Sequence, residues 1–196
     1  PLSPGNAFHR VVWTGSEFLA VGGFGAVMAS ADGVAWALRT SGTVLDLNGL
    51  AAGPGGFVAV GKRGTILGSA DGLAWSSRAS GPRASFSDVA WNGSIYVAVG
   101  AEGSIAVSRD ALSWKRQESG ATRWLLGVAW NGRVFAAVGE TGTILTSSDG
   151  MAWEDRSPGV LDVLYGILWD GARFVAVGSA GIVLTSPDGT QWSRHD

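Results

Sequence analysis

A motif of the type Ser-x-Asp-Gly-x-x-Trp recurs at a fixed interval along the whole chain. The tryptophans that close it follow one another every 39 residues, at Trp36, Trp75, Trp114, Trp153 and Trp192. The aspartates keep the same interval, at Asp32, Asp71, Asp110, Asp149 and Asp188. A period between about 20 and 50 residues is typical of proteins built from stacked repeats, in which neighbouring units bury each other's apolar surface.

Each repeat predicts four short β-strands. In residues 125–163, apolar segments are separated by Asn131-Gly132, by residues 140–142 and by Asp149-Gly150. Asn-Gly between two apolar runs is a strong signal for a two-residue hairpin, because both positions tolerate a positive φ. The strand at 134–138 is apolar at consecutive positions. Such a strand is covered on both faces of its sheet, so the sheets must stack on one another.

A propeller is favoured over a solenoid by how residue size changes across the repeat. Glycines in the first strand, such as Gly49 and Gly127, indicate crowding near an axis. Arginines in the fourth strand, Arg39, Arg78 and Arg156, predict a solvated outer edge. We therefore expect an all-β fold, a five-bladed β-propeller with four antiparallel strands per blade. The single domain, 1–196, divides into blades at 8–46, 47–85, 86–124, 125–163 and 164–196, with 1–7 completing the ring of a monomer.

The recurring motif resembles the Asp-box, or bacterial neuraminidase, repeat of sialidase-like β-propellers. In this chain the motif has one residue fewer between Asp and Trp than the usual box. The preceding strands, as in "FVAVG", are similar to bacterial propellers of the photosystem II assembly factor type. The resemblance implies that the box is a structural hairpin between the third and fourth strands, and it favours a secreted, periplasmic or cell-surface location. The residue types fit that role: Asp accepts backbone N–H groups, Gly supplies a positive φ and Trp buries its ring.

Composition excludes several classes of function. Charged residues make up 15% of the chain, the net charge is -2, and Lys and Arg are not clustered, so a nucleic-acid partner is not expected. No apolar run reaches about 18 residues, so membrane insertion is not expected. With no cysteine and only His9 and His195, no metal site is predicted. No dinucleotide or phosphate-binding fingerprint is present, so no cofactor is predicted.

Positions that differ between repeats are the candidates for function, because those that recur serve the blade. Turns between the second and third strands and loops between blades share one end of a propeller, here called the top face. Arg10 and Asp88 are expected to face each other across the channel, as a structural ion pair or a polar ligand mouth. Trp124 lies outside the recurring tryptophan positions and is either a plug between blades or a platform for a ligand. The candidate ligand-binding residues are Arg10, Phe24, Arg63, Asp88, Glu102, Arg123, Trp124, Glu140 and Tyr165.

Three functions compete. The main expectation is a non-catalytic module that recognises carbohydrate on the top face, because aromatic and mixed polar groups suit sugars. The alternative is a scaffold for protein interaction or assembly, which would explain why the top face differs between blades. The third is a glycosidase using carboxylates such as Asp88, Glu102 and Glu140, although no residue is predicted to be catalytic. The partner is accordingly a glycan or a protein.

Overall fold

The computed structural model of the chain describes residues 7–78 and 84–195. Within these residues it holds twenty β-strands, five single 3-10 turns and no α-helix. Of the segment 1–7, which the sequence predicts to complete the ring, only Ala7 is described.

The strands fall into five sheets of four. Those of the first three blades are β1 (Phe8–Trp13), β2 (Phe18–Gly22), β3 (Val27–Ser30), β4 (Ala37–Arg39), β5 (Leu47–Gly53), β6 (Gly56–Gly61), β7 (Ile66–Ser69), β8 (Ser76–Ser77), β9 (Phe86–Trp91), β10 (Tyr96–Gly100), β11 (Ile105–Ser108) and β12 (Lys115–Gln117). Those of the last two are β13 (Leu125–Trp130), β14 (Phe135–Gly139), β15 (Ile144–Ser147), β16 (Glu154–Asp155), β17 (Leu164–Trp169), β18 (Phe174–Gly178), β19 (Val183–Ser186) and β20 (Ser193–His195).

Every sheet is an antiparallel meander in which the strands lie in chain order. The first strands of successive blades lie beside one another, β1 with β5, β5 with β9, β9 with β13 and β13 with β17, so they line the axis. The predicted all-β, five-bladed propeller with four strands per blade is thereby confirmed.

Four apolar clusters hold successive blades together, one at each interface along the chain. At the first interface, Leu19 and Val21 of β2 pack against Leu50 of β5 and Ala59 of β6. The described residues of the fifth and first blades form no such cluster, and β17 makes no comparable contact with β1. The described blades therefore form an open arc.

The hairpins between the third and fourth strands, here called the box turns, explain why the Ser-x-Asp-Gly-x-x-Trp motif recurs. In the fourth blade, Asp149 Oδ1 accepts the backbone N–H groups of Met151 at 2.8 Å and Ala152 at 3.0 Å. The Gly150 N–H donates to Ser147 Oγ at 2.8 Å, and Trp153 Nε1–H donates to the Gly150 carbonyl at 3.1 Å. All four recurring residues thus serve the turn itself, and Gly150 adopts a φ of 74° that favours glycine.

The third box turn departs from this pattern because Ala111 stands in the glycine position. Ala111 takes a φ of 58°, which is costly for a residue with a Cβ. Asp110 still accepts the N–H groups of Leu112 and Ser113. The buried Trp114 Nε1, however, has no hydrogen-bond partner.

The predicted solvated edge of arginines is wrong. Arg39, Arg78 and Arg156 are half-buried, and the Nε atom of each is inaccessible to water. The guanidinium of Arg78 lies over Gly68 of the neighbouring strand β7, where a Cβ would approach its Nε closely. These side chains cover the outer part of the blade with their stems instead of projecting from it.

Burial predicts different stability costs for two tryptophans that occupy the same box position. Trp114 is 5% exposed, whereas Trp36 is 37% exposed on the uncovered face of the first blade. We expect Trp114→Ala to cost about 3–5 kcal/mol in unfolding free energy, the usual range for a buried large aromatic residue, and Trp36→Ala clearly less. Denaturant unfolding of the two variants measures this difference. Equal costs would contradict the packing described here.

The box turns also predict a loss of stability in acid. Backbone hydrogen bonds from Ser113 and Leu112 lower the pKa of Asp110 to about 2, and similar bonds lower the pKa of the other four box aspartates. A carboxyl group whose pKa falls on folding stabilises the fold above its unfolded pKa of about 3.9 and loses that contribution as pH falls through the folded value. Stability should therefore decline between about pH 4 and pH 2.

Thermal melts across this range measure the decline. Asp110→Asn keeps an acceptor oxygen but removes the charge, so it should reduce the steepness of the decline. An unchanged steepness in that variant would show that the box aspartates do not cause it.

Candidate functional site: a cavity lined by five β-bulges

The first strand of every blade contains a β-bulge near its start. In the first blade, Phe8 pairs with Gly22 and Arg10 with Val21, so His9 has no partner on β2. The same shift leaves the equivalent residue unpaired in each other blade. These unpaired residues are His9, Asn48, Ser87, Leu126 and Tyr165. A bulge re-aims a side chain away from the regular pleat and is common next to functional sites.

A cavity of about 290 Å³, here called the bulge cavity, lies where the five bulges meet. Its lining consists of the five unpaired residues together with Arg10, Asp88, Gly127 and Gly166. The bulges lie opposite the ends of the second strands, just before the turns to the third strands. The cavity therefore opens at the centre of the top face.

Backbone contacts fix the positions of two bulge residues. Asn48 Nδ2 donates to the Phe86 carbonyl at 2.8 Å, and His9 Nδ1 lies 3.0 Å from the Leu47 carbonyl. Each contact joins a bulge to the strand of the next blade. Tyr165, in the fifth blade, is covered by no neighbouring blade among the described residues and is 61% exposed.

The buried carboxylate of Asp88 is the main charge of the cavity. Its Oδ1 accepts the Val89 N–H at 2.9 Å, its Oδ2 accepts the Val128 N–H at 3.1 Å, and Arg10 Nη2 lies 3.5 Å away. Burial raises the pKa of Asp88, while Arg10 and the two N–H groups oppose that rise. Residues from three blades therefore meet at this carboxylate. Close packing beside it requires Gly49, whose Cβ would lie 2.6 Å from the Asp88 Cα.

The predicted ligand-binding residues are only partly brought together. Arg10, Asp88 and Tyr165 share the bulge cavity. Phe24 lies instead in a separate cavity of about 350 Å³ formed with residues 38–44. Arg63, Glu102 and Arg123 are exposed and line neither cavity.

Trp124 and Glu140 meet outside both cavities. The Trp124 N–H donates to Glu140 Oε2 at 3.2 Å, and the Glu140 N–H donates to the Trp124 carbonyl at 3.0 Å. The pair ties the loop before the fourth blade to that blade's own turn, and the indole remains half-exposed.

Four residues missing from the prediction, His9, Asn48, Ser87 and Leu126, line the same cavity. They occupy one position of the repeat, the one immediately before Arg10 and Asp88, and that position holds a different residue type in every blade. Taking the whole position as a unit would have found them from the sequence.

The turns on the top face share an unusual backbone conformation. The middle residue of each, Phe24, Arg63, Glu102, Thr141 or Ala180, has a φ between 51° and 55°. Left-handed conformations are costly for residues other than glycine, and they concentrate at functional positions. The five turns therefore hold five different side chains in one strained geometry.

The described residues show no candidate centre for a metal. No group of three or more His, Asp or Glu side chains in this part of the chain is placed to hold an ion. None of the helical segments in residues 7–78 and 84–195 is long and apolar enough to cross a membrane.

The fold and its cavity define a β-propeller with a polar opening at the axis of its top face. The chain matches no model of a known protein family and no curated protein sequence. Solved structures do resemble it. YCF48 bound to D1 peptide superposes with a TM-score of 0.75 and 18% identity, over 98% of this chain and 67% of that one.

Two further structures give similar values. YCF48 from Cyanidioschyzon merolae has a TM-score of 0.74 and 16% identity, covering 100% of this chain and 74% of its own. The WD40 β-propeller domain of Doa1 has a TM-score of 0.72 and 14% identity, covering 96% and 68%. At such identities the likeness shows the propeller fold. These matches support the propeller that the sequence resemblance implies, and they do not confirm the Asp-box part of that resemblance.

The ion pair at the bulge cavity predicts a pH-dependent stability effect. Arg10→Gln removes the charge that opposes the raised pKa of Asp88 and leaves a buried carboxylate without its cation. We expect a cost of about 1–2 kcal/mol at neutral pH, below the range for fully buried pairs because Arg10 is partly exposed. Since an acid with a raised folded pKa is relieved by protonation, the cost should shrink as pH falls.

Urea unfolding of parent and variant at pH 7 and pH 4.5 measures this difference, and Arg10→Lys should restore part of it. Arg63→Gln, at an exposed turn, is the matched control and should cost little at either pH. A cost for Arg10→Gln that does not depend on pH would show that the charge of Asp88 is not what Arg10 stabilises.

Proposed function

We propose that this chain is a non-catalytic protein-interaction module that binds a segment of a partner protein at the bulge cavity. The observation that carries the proposal is that one position of the repeat supplies five of the nine lining residues, yet holds a different side chain in every blade. A multivalent binder of a small repeated ligand would present the same residues five times. A single irregular site instead suits an irregular ligand such as a peptide.

The chemistry of the cavity supports a peptide ligand. It offers a charge pair, the phenol of Tyr165, the imidazole of His9 and the apolar Leu126 within one opening of about 290 Å³. A peptide presents backbone donors and acceptors together with mixed side chains, which a lining of mixed polar and apolar groups can match, and such sites are usually largely pre-formed. One solved structure of similar fold is YCF48 bound to D1 peptide.

The carbohydrate function expected from the sequence gains no support from this geometry. Trp124, which the sequence offered either as a plug or as a platform for a sugar, lies outside the bulge cavity, and its backbone is tied to Glu140. A glycosidase gains none either, because Asp88 is the only one of the three candidate carboxylates that lines the cavity. The propellers of similar fold are compatible with a non-enzymatic role.

The test is selection from a library of linear peptides displayed on phage, with the purified chain as bait. Tyr165→Ala should weaken binding of the enriched peptides by roughly tenfold or more without lowering the melting temperature, since the side chain is exposed. Trp124→Ala is the matched control on the same face and should change affinity less than about twofold. Enriched peptides that bind Tyr165→Ala as tightly as the parent would contradict the proposed site.

Two parallel assays separate the other functions. A glycan array on which binding depends on Trp124 would restore the carbohydrate function. Turnover of a fluorogenic glycoside that disappears in Asp88→Asn would overturn the non-catalytic assignment.

A further inference from the structure

The two ends of the arc expose sheet faces that are buried in every other blade. Val11 of the first blade is 54% exposed, while its equivalents Leu50, Val89, Val128 and Ile167 are at most 6% exposed. Val177 of the fifth blade is 48% exposed, while its equivalents Val21, Val60, Val99 and Val138 are fully buried. Four of five copies of each position are thus covered by a neighbouring sheet, and the fifth is not.

The uncovered face of the first blade forms an apolar cavity of about 430 Å³. It is lined by Phe8, Val11, Ala20, Met28 and Trp36. In the second blade the equivalent residues, Leu47, Leu50, Ala59, Leu67 and Trp75, are those that pack against the first blade. The cavity is therefore one half of a blade–blade interface that lacks its partner, and it is formed by the same repeat positions as the four complete interfaces.

The opposite face is uncovered at the other end of the arc. Leu168 and Val177 of the fifth blade are exposed, and Val175 and Val183 are half-buried. Their equivalents in the third blade, including Val97, Val99 and Ile105, pack against the fourth blade. The space beside Gly166 is open in the same way. A Cβ at Gly166 would meet no atom within 4 Å, whereas a Cβ at the equivalent Gly49 would lie 2.6 Å from the next blade.

Whatever fills the gap between the fifth and first blades must cover both of these exposed faces. It must offer Leu, Val, Ala and Trp on one side, to cover the fifth blade, and Val and Ile on the other, to cover the first. A second copy of the chain carries both faces but would bring the ring to ten blades, beyond the four to eight that are typical. The repeat itself supplies both faces in any smaller number of blades.

The lengths of the solved propellers suggest the size of the missing unit. The arc of five blades matches 67%, 74% and 68% of the three chains of similar fold. The unmatched quarter to third of those chains is about as long as two repeats of this chain. We propose that the gap between the fifth and first blades takes a unit of two further blades of the same repeat, which closes a seven-bladed ring.

Closure would also extend the bulge cavity, since each added blade brings one more bulge residue to the axis. The exposed Tyr165 would then gain the neighbour that Asn48 already has in the third blade.

The test is to append the two-blade unit. Residues 119–196 span two repeats, and a second copy placed directly after Asp196 continues the period in frame. The extended chain should be a monomer, should melt at least about 5 °C higher than the parent, and should lose most of the parent's binding of a dye specific for exposed apolar surface. Appending residues 158–196 alone adds one blade and should leave dye binding nearer to that of the parent.

A charge at the uncovered face makes the test specific. Val11→Glu should change the parent's melting temperature by less than about 2 °C, because the residue is exposed, but should remove the gain in the extended chain. Val89→Glu, the equivalent at a filled interface, is the control and should destabilise both chains strongly.

Two results would overturn the proposal. One is a parent that sediments as a discrete dimer dissociated by Val11→Glu, since a second copy would then be the occupant. The other is an extended chain whose added repeats are digested by protease while the arc survives, because the added blades would then not pack in the gap.

Discussion

The packing of one sheet face against the next is the interaction on which this molecule depends. A single repeat, whose outer strand is only two or three residues long, cannot bury its own apolar faces. Each repeat therefore gains its stability from its neighbours, as in other quasi-one-dimensional proteins. Val60 and Val99 on one face, and Leu50 and Val89 on the other, show how completely that covering is achieved inside the arc.

The same packing creates the candidate site. Bringing five first strands to one axis requires small residues such as Gly49, where the next blade approaches within contact of the backbone. The bulge beside each of these positions releases one residue from the pleat toward the axis. The buried carboxylate of Asp88 lies at this meeting point of blades. It accepts a hydrogen bond from a backbone N–H of the next blade and forms an ion pair with an arginine of the first blade.

Much of this architecture could be predicted from the sequence, because it follows from local signals repeated at a fixed interval. The interval between Trp36 and Trp75, and the turn signals between apolar runs, predict the blades and their four strands. The bulges could not be predicted, since an extra residue in an antiparallel pair has no characteristic composition, and Asn48 and Ser87 read as ordinary strand residues. The sequence shows that this position varies between repeats, but the convergence of its side chains on one cavity depends on the register of the strands.

Two other features depend on geometry that no single repeat encodes. The angle between successive blades decides whether five of them close, and it arises from packing at every interface together. Arg78 illustrates the second case: its charge predicts exposure, but its long stem lies over Gly68, so the side chain is half-buried.

The turns of the top face have a consequence for how this surface can change over evolutionary time. Each holds its middle residue at the same left-handed φ, whether the side chain is the ring of Phe24, the β-branched Thr141 or the methyl of Ala180. Any residue with a Cβ is disfavoured at that φ, a β-branched residue most of all, and yet the turn keeps the same φ with five different side chains. Substitutions at these five turns can thus change the side chains on the top face one at a time while the backbone beneath keeps its conformation.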